Sequence, residues 1–234
     1  LETSLHQQLK AHYAGDDGEV EVRLGRYRID VVRDDRLIEI QHGGLAAIRD
    51  KVRSLCKQHR VLVVKPIVAT KTLIKCKQKG GRVVSRRRSP KRGELLDLFD
   101  ELVHFTRAFP HRNLTLEAAM VEVEEWRYPG HGKRRRWRKN DFVVEDQKLV
   151  DVVRVHRLQS RQDLLGLLPA DLPQPFNTAQ LAEGLGKPRW VAQRIAYCLR
   201  EMGAAKPVGK QGNAILYKTI RRQPASAASR KRAG

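Results

Sequence analysis

Hydrophobic positions in the first third of the chain switch repeatedly between a helical and a strand period. Leu5 and Leu9 are spaced i, i+4 behind Thr3 and Ser4, which predicts a short capped amphipathic helix over residues 2–12. After Gly15-Asp16-Asp17-Gly18 the period becomes two. Val20, Val22 and Leu24 precede Gly25-Arg26; Tyr27, Ile29 and Val31 precede Asp34-Asp35; Ile38 and Ile40 follow. This predicts a three-stranded meander with the two dipeptides as turns. His42-Gly43-Gly44 then supplies a strand-to-helix turn, with a phosphate contact expected at the helix start. Helical spacing returns at Leu45, Ile48, Val52 and Leu55, and residues 60–69 form a β-branched run of the buried-strand type. The element order is αβββαβ.

Further along, residues 71–85 read as a basic hairpin turning at Gly80-Gly81, and residues 94–109 as an amphipathic helix. Residues 114–128 and 142–155 are strand-rich, and residues 160–168 form a short capped helix. Pro169, Pro173 and Pro175 mark a linker. Residues 178–185 and 188–202 carry two helical patterns separated by Gly186-Lys187, followed by a hairpin around residues 209–213. The expected fold class is α/β: an αβββαβ core within residues 1–93, a basic α+β middle region at 94–172, a small helical and hairpin domain at 173–220, and a basic disordered tail at 221–234.

The chain has 234 residues, 47 Lys and Arg against 26 Asp and Glu, and a net charge of +21, so its default partner is a polyanion. The charge is uneven. Residues 1–50 hold ten acids and seven bases, whereas residues 51–93 hold fifteen bases and no acid. A second basic cluster, Lys133, Arg134, Arg135, Arg136, Arg138 and Lys139 around Trp137, lies between the strand-rich segments with Trp126 and Tyr128 nearby. This spacing suits a phosphate backbone with base stacking; the bland alternative is a solvated loop whose aromatics belong to a sheet core. No apolar run approaches the roughly 18 residues a membrane helix needs. Cys56, Cys76 and Cys198 are far apart without C-x-x-C spacing, which implies a reduced, intracellular, cytoplasmic protein without structural zinc, nucleoid-associated in a bacterium.

The residues most suggestive of chemistry lie in the second hairpin. With Asp34-Asp35 as its turn, Arg33 pairs with Arg36, Val32 with Leu37 and Val31 with Ile38, so Asp30 stands opposite Glu39, with Gln41 on the same face. Like charges directly opposite destabilise a sheet, and a divalent cation between them removes that cost. Mg²⁺ takes one or two carboxylates, keeps several waters and accepts phosphate oxygens. The bland alternative is a solvated face.

The run Arg28-Ile29-Asp30-Val31-Val32 followed by Leu37-Ile38-Glu39-Ile40-Gln41, within the αβββαβ order, resembles the PD-(D/E)xK nuclease superfamily, the restriction endonuclease-like fold. The resemblance covers roughly residues 1–69. It implies Asp30 and Glu39 as ligands of a catalytic Mg²⁺ (or Mn²⁺), Glu2 as the acid on the first helix, and Gln41 in the place of the family's Lys. Gln is neither a charged electrophile nor a base, so here the chain departs from the pattern. His6, one turn after Glu2, is a further candidate to face the site.

The carboxy-terminal pattern looks like a winged helix, with Leu181, Leu185, Val191, Ile195, Leu199 and Met202 as its core and residues 209–212 as its wing. Arg189, Gln193, Arg194 and Arg200 are polar positions of the second helix suited to phosphate and base-edge contacts, with Lys210 on the wing. The leading expectation is a Mg²⁺-dependent endonuclease acting on DNA, with Asp30, Glu39, Gln41 and Glu2 as its catalytic residues. The alternatives are a non-catalytic winged-helix DNA-binding protein or inactive nuclease descendant, and an RNA-binding or RNA-processing protein.

Overall fold

The structure is a computed structural model that describes residues 3–130 and 141–221. It is a mixed α/β fold and divides into two compact units, residues 1–159 and 160–234. The expected boundaries at 93 and 172 do not coincide with these units, because the middle segment completes the sheet of the first.

In that unit, helix α1 (Ser4–Ala14) precedes β1 (Glu19–Leu24), β2 (Tyr27–Arg33) and β3 (Arg36–Ile40). The β2–β3 register is the one the alternation predicts: Val31 faces Ile38, Val32 faces Leu37 and Arg33 faces Arg36. Asp34 makes the turn at a φ of 54°, a conformation its short polar side chain tolerates. A 3₁₀ turn (Leu45–Ile48) and α2 (Arg49–Leu55) then lead to β4 (Arg60–Cys76), which lies parallel to β3.

β4 is one strand of 17 residues that runs through Pro66 into the basic hairpin with β5 (Val83–Arg88). The Val64 carbonyl faces β3 and accepts the Gln41 N–H. Pro66, two residues on, turns its missing N–H to the same side beyond the last β3–β4 pair, Ile40 and Val64, so no ladder bond is lost there. β6 (Leu114–Pro129) runs parallel to β4 along its other edge, and β7 (Phe142–Leu158) is antiparallel to β6. The sheet order is β1-β2-β3-β4-β6-β7, with β5 paired to the far half of β4.

Residues 94–109 do not form the continuous helix expected. The α-helix there, α3, spans only Leu98–Leu102, and beyond it His104, Phe105 and Ala108 donate to carbonyls three residues back. The buried residues Leu98, Phe99, Leu102, Phe105, Ala108 and Phe109 keep the helical spacing, and Val103 and Phe109 still donate four residues back, so the chain mixes α-type and 3₁₀-type turns around one buried face instead of running as a single helix.

α1 covers one face of the sheet. Leu5, Leu9 and Ala14 pack on Val31, Ile38, Ile40, Leu62, Val64, Ala119, Val121 and Val123. Burial of one large aliphatic side chain is worth about 1.5–3 kcal/mol, so this layer fixes the meander's register as well as its stability.

The second unit contains α4 (Arg161–Leu165), α5 (Thr178–Leu185), α6 (Arg189–Glu201) and a hairpin of β8 (Ala205–Gln211) and β9 (Ala214–Thr219). Asn177 caps α5 by accepting from Ala179 and Gln180 N–H, and Gly186 ends it at a φ of 59°. Leu181, Ile195, Leu199 and Phe176 are fully buried, and Phe176 sits against Tyr217 of β9. Cys56, Cys76 and Cys198 are buried and none is in a disulfide. No helix among the described residues is long and apolar enough to cross a membrane.

Candidate carboxylate site

Asp30 lies where the β2–β3 ladder opens. The last pair is Val31 with Ile38, and beyond it the Ile40 N–H donates to Asp30 Oδ2 at 2.8 Å instead of to a strand carbonyl. Asp30 Oδ1 lies 3.5 Å from His6 Nε2, brought in by α1. Burial alone would raise the Asp30 pKa, but the hydrogen bonds from His6 and from the Ile40 N–H outweigh it and hold the carboxyl below its ordinary range.

Glu39 is 3% exposed. From α2, Lys51 Nζ donates to Glu39 Oε2 at 2.7 Å and to the Arg28 carbonyl. The same ammonium lies 2.6 Å from Oε1, so Lys51 spans both oxygens of the carboxylate. Burial pushes the Glu39 pKa up to about 7; Lys51 opposes the shift and the nearby Asp30 charge adds to it. The two carboxylates are therefore coupled, one held ionised and one poised near neutrality, an arrangement common at chemical sites.

Asp30 opens onto a hollow of about 440 Å³ lined also by His6, Lys10, Glu21, Arg28 and His42. Sequence reasoning missed Glu21. It falls between the β1–β2 pairs Val20–Val31 and Val22–Ile29 and takes a φ of 59°, unusual for a residue with a Cβ. Lys10 and Arg28 both bind its carboxylate. Lys51 was missed as well. Its position on a helix beyond the motif gives no local signal, although it opens the acid-free stretch of the sequence.

Gln41 is half-buried, and its Nε2 donates to the Gly44 carbonyl at 3.0 Å, so it braces the turn after β3. Buried Lys65 holds the same turn through the His42 and Gly43 carbonyls and pairs with Glu101, whose other oxygen accepts the Leu45 N–H. The helix-start donor expected to meet a phosphate is thus taken by Glu101. Glu2 lies outside the described residues, as do Lys133, Arg134, Arg135, Arg136 and Arg138. Trp126 is half-buried in β6 with the Lys148 ammonium 4.7 Å from its ring centre, so that indole belongs to the sheet. In the second unit Arg189 and Gln193 are exposed on α6, Arg194 is half-buried beside them, and Lys210 is exposed on β8.

Residues 3–159 match the family model described as "Domain of unknown function (DUF8091)". The chain belongs to the DUF8091 family. The match ends at the boundary of the first compact unit, so the family's shared part is the sheet that carries Asp30 and Glu39. The chain is also similar to an uncharacterized protein of Treponema pallidum (strain Nichols), 30% identical over 219 residues, covering 93% of this chain and 85% of the relative. That length necessarily runs past Gln159 into the second unit. No solved structure matches the chain.

Proposed function

We propose that this protein is a metal-dependent endonuclease of the PD-(D/E)xK kind, hydrolysing phosphodiesters in DNA, with Asp30 and Glu39 as ligands of Mg²⁺ or Mn²⁺. The observation that carries the reading is the pair of carboxylates on adjacent strands: Asp30, held ionised and open to a hollow of about 440 Å³, and buried Glu39, whose two oxygens share the Lys51 ammonium at 2.7 and 2.6 Å. Two like charges brought together out of water are costly, and a divalent cation between them removes that cost. Support also comes from the αβββαβ order with antiparallel β1-β2-β3 and parallel β3-β4.

Among the described residues no group of three or more His, Cys, Asp or Glu is gathered to hold a metal. Two carboxylates with water completing the shell fit Mg²⁺, which dehydrates reluctantly, better than a softer ion that needs a full protein cage. Bound there, such an ion supplies a more acidic water and stabilises charge on the phosphate. The chain's own residues do the rest. Asp30 is kept ionised by His6 and the Ile40 N–H, ready to ligate. Lys51 neutralises Glu39 in the metal-free protein and supplies, from α2, the cation that Gln41 lacks. Gln41 holds the turn in shape. Basic segments, among them β5 with Arg86, Arg87 and Arg88 exposed, bind the phosphate backbone. The second unit, read as a winged helix, adds Arg189, Gln193, Arg194 and Lys210.

A second reading, a non-catalytic DNA-binding descendant, is favoured by Gln41 in the Lys position with its amide committed to Gly44. Purified protein incubated with single-stranded, duplex and branched DNA and with RNA, with Mg²⁺, Mn²⁺ or EDTA, separates the two. Cleavage abolished by EDTA is expected. Tight binding without cleavage under either metal would overturn the nuclease in favour of the binding protein, and cleavage confined to RNA would overturn the DNA assignment.

A further inference from the structure

Helix α6 buries Ala192, Ile195, Ala196, Cys198 and Leu199 against its own unit, and that face alone accounts for its packing. The opposite face carries two large aromatic residues in solvent, Trp190 at 55% exposed and Tyr197 at 39%. Their spacing, i to i+7, puts them on one stripe about 10 Å apart. Each has an arginine over its ring: Arg194 lies 5.0 Å from the Trp190 centroid and Arg200 lies 5.5 Å from that of Tyr197. Arg189 and Gln193 are exposed on the same helix, and the acid at its end, Glu201, is paired with Arg200.

Nothing in the unit's packing requires an indole at position 190, and two exposed aromatic rings on one stripe of the helix, each with an arginine over it, suit a ligand with flat rings and negative charge. Flanking guanidiniums select an anionic partner. Reading base edges in a duplex groove uses hydrogen-bonding side chains, whereas an exposed indole and phenol offer π-faces, which unpaired bases stack on whatever their sequence. We propose that the α6 face bearing Trp190, Arg194 and Tyr197 binds single-stranded DNA by stacking unpaired bases on the two rings while Arg189 and Arg194 meet the phosphates. This deepens the reading of the chain as a nucleic-acid-binding protein and rests on it. It assigns a substrate class: DNA with a single-stranded segment.

The test uses the full chain, its intrinsic tryptophan fluorescence, and two probes, an oligo(dT) of about 20 nucleotides and a duplex of the same length. Oligo(dT) quenches the wild-type signal, and the Trp190-dependent part vanishes in Trp190→Phe although two other tryptophans remain. Trp190→Ala weakens oligo(dT) binding about tenfold, the loss expected of one stacked base, and changes duplex affinity less than twofold. Trp190→Phe, which keeps an aromatic face, stays within about threefold of wild type. Tyr197→Ala gives a second, smaller selective loss. Equal losses on both probes, or no loss on oligo(dT), overturn the stacking surface while leaving nucleic-acid binding in place. A wild-type chain that binds neither probe overturns the nucleic-acid reading itself.

Discussion

Two regions of the same sheet bury glutamates and treat them differently. On β6, Glu117 is fully buried and accepts from the Tyr13 hydroxyl and from Arg157 Nε. Glu125, 3% exposed, accepts from Lys71, Arg127 and Gln147, and these hydrogen bonds outweigh its burial and lower its pKa. On β3, Glu39 is as buried as Glu125 but, among the described residues, is met by Lys51 alone, and its pKa is pushed up to about 7. Burial is common to all three, and what differs is the supply of donors. Acids met by several donors brace strands, while a buried acid met by one cation beside a second carboxylate is the arrangement on which the proposed metal site rests.

The largest expected effect of breaking this contrast is on chemistry. Asp30→Asn or Glu39→Gln lowers metal-dependent cleavage by about 10³-fold or more, and nucleic-acid affinity stays equal or rises, because negative charge beside a phosphate is removed. Single-turnover cleavage and a binding titration check both halves; wild-type cleavage in the double variant removes the site. The same assays on Glu117→Gln and Glu125→Gln, at temperatures where they are folded, show near-parent cleavage.

Next in size is Lys51. Lys51→Met takes the cation from Glu39 and lowers cleavage by about 10²-fold, the scale of one lost electrostatic contact. Gln41→Ala costs about tenfold or less, acting through the turn it braces. If the order of the two reverses at saturating Mg²⁺, the motif position rather than the helix supplies the chemistry.

Stability reverses the ranking of sites. Glu125→Gln strands Lys71 and Arg127 without their acceptor, and denaturant titration gives a loss of about 1–3 kcal/mol. Glu39→Gln, in metal-free protein at pH 8, stays within about 1 kcal/mol of the parent or gains, since it removes a charge the fold does not fully solvate. A Glu39→Gln loss as large as that of Glu125→Gln would make Glu39 a structural acid like the others.

The sequence made the meander legible because alternation, two turn dipeptides and a buried face all constrain one register. It therefore placed Asp30 and Glu39 on adjacent strands at the correct ends. Lys51 and the Lys65–Glu101 brace were not legible, since each reaches the site through a packing angle that no local period encodes; Glu21, which the unbroken β1–β2 register sets opposite Asp30, followed from the same alternation and was missed. Over residues 94–109 the apolar spacing of Leu98, Leu102, Phe105 and Phe109 located the buried face correctly, but spacing does not show that 3₁₀-type turns interrupt the helix. In the second unit, both long helices and the hairpin were legible from Gly186 and residues 209–213, because capping and turn chemistry act locally. Trp190 and Tyr197 carried their signal only once the buried face of α6 was known.

The smallest effect is in the pH dependence of metal binding, and its sign distinguishes Glu39 from Glu125. A carboxylate whose folded pKa is raised adds stability below its unfolded value, near 4.5, and that contribution is lost as pH climbs through about 7. Metal-free protein therefore loses stability at this site across that window. Mg²⁺ requires the ionised form, so its binding releases a proton and its affinity follows the ionised fraction of Glu39. With a pKa of about 7, that fraction falls roughly tenfold between pH 8 and pH 6, and isothermal titration with MgCl₂ shows the same fall in affinity. Glu125, with its pKa lowered, keeps its charge throughout this range, and Glu125→Gln leaves the pH slope of Mg²⁺ binding unchanged. A flat Mg²⁺ affinity from pH 6 to 8 would mean that Glu39 is already ionised by its Lys51 pairing, and that the difference between the two buried acids lies in geometry alone.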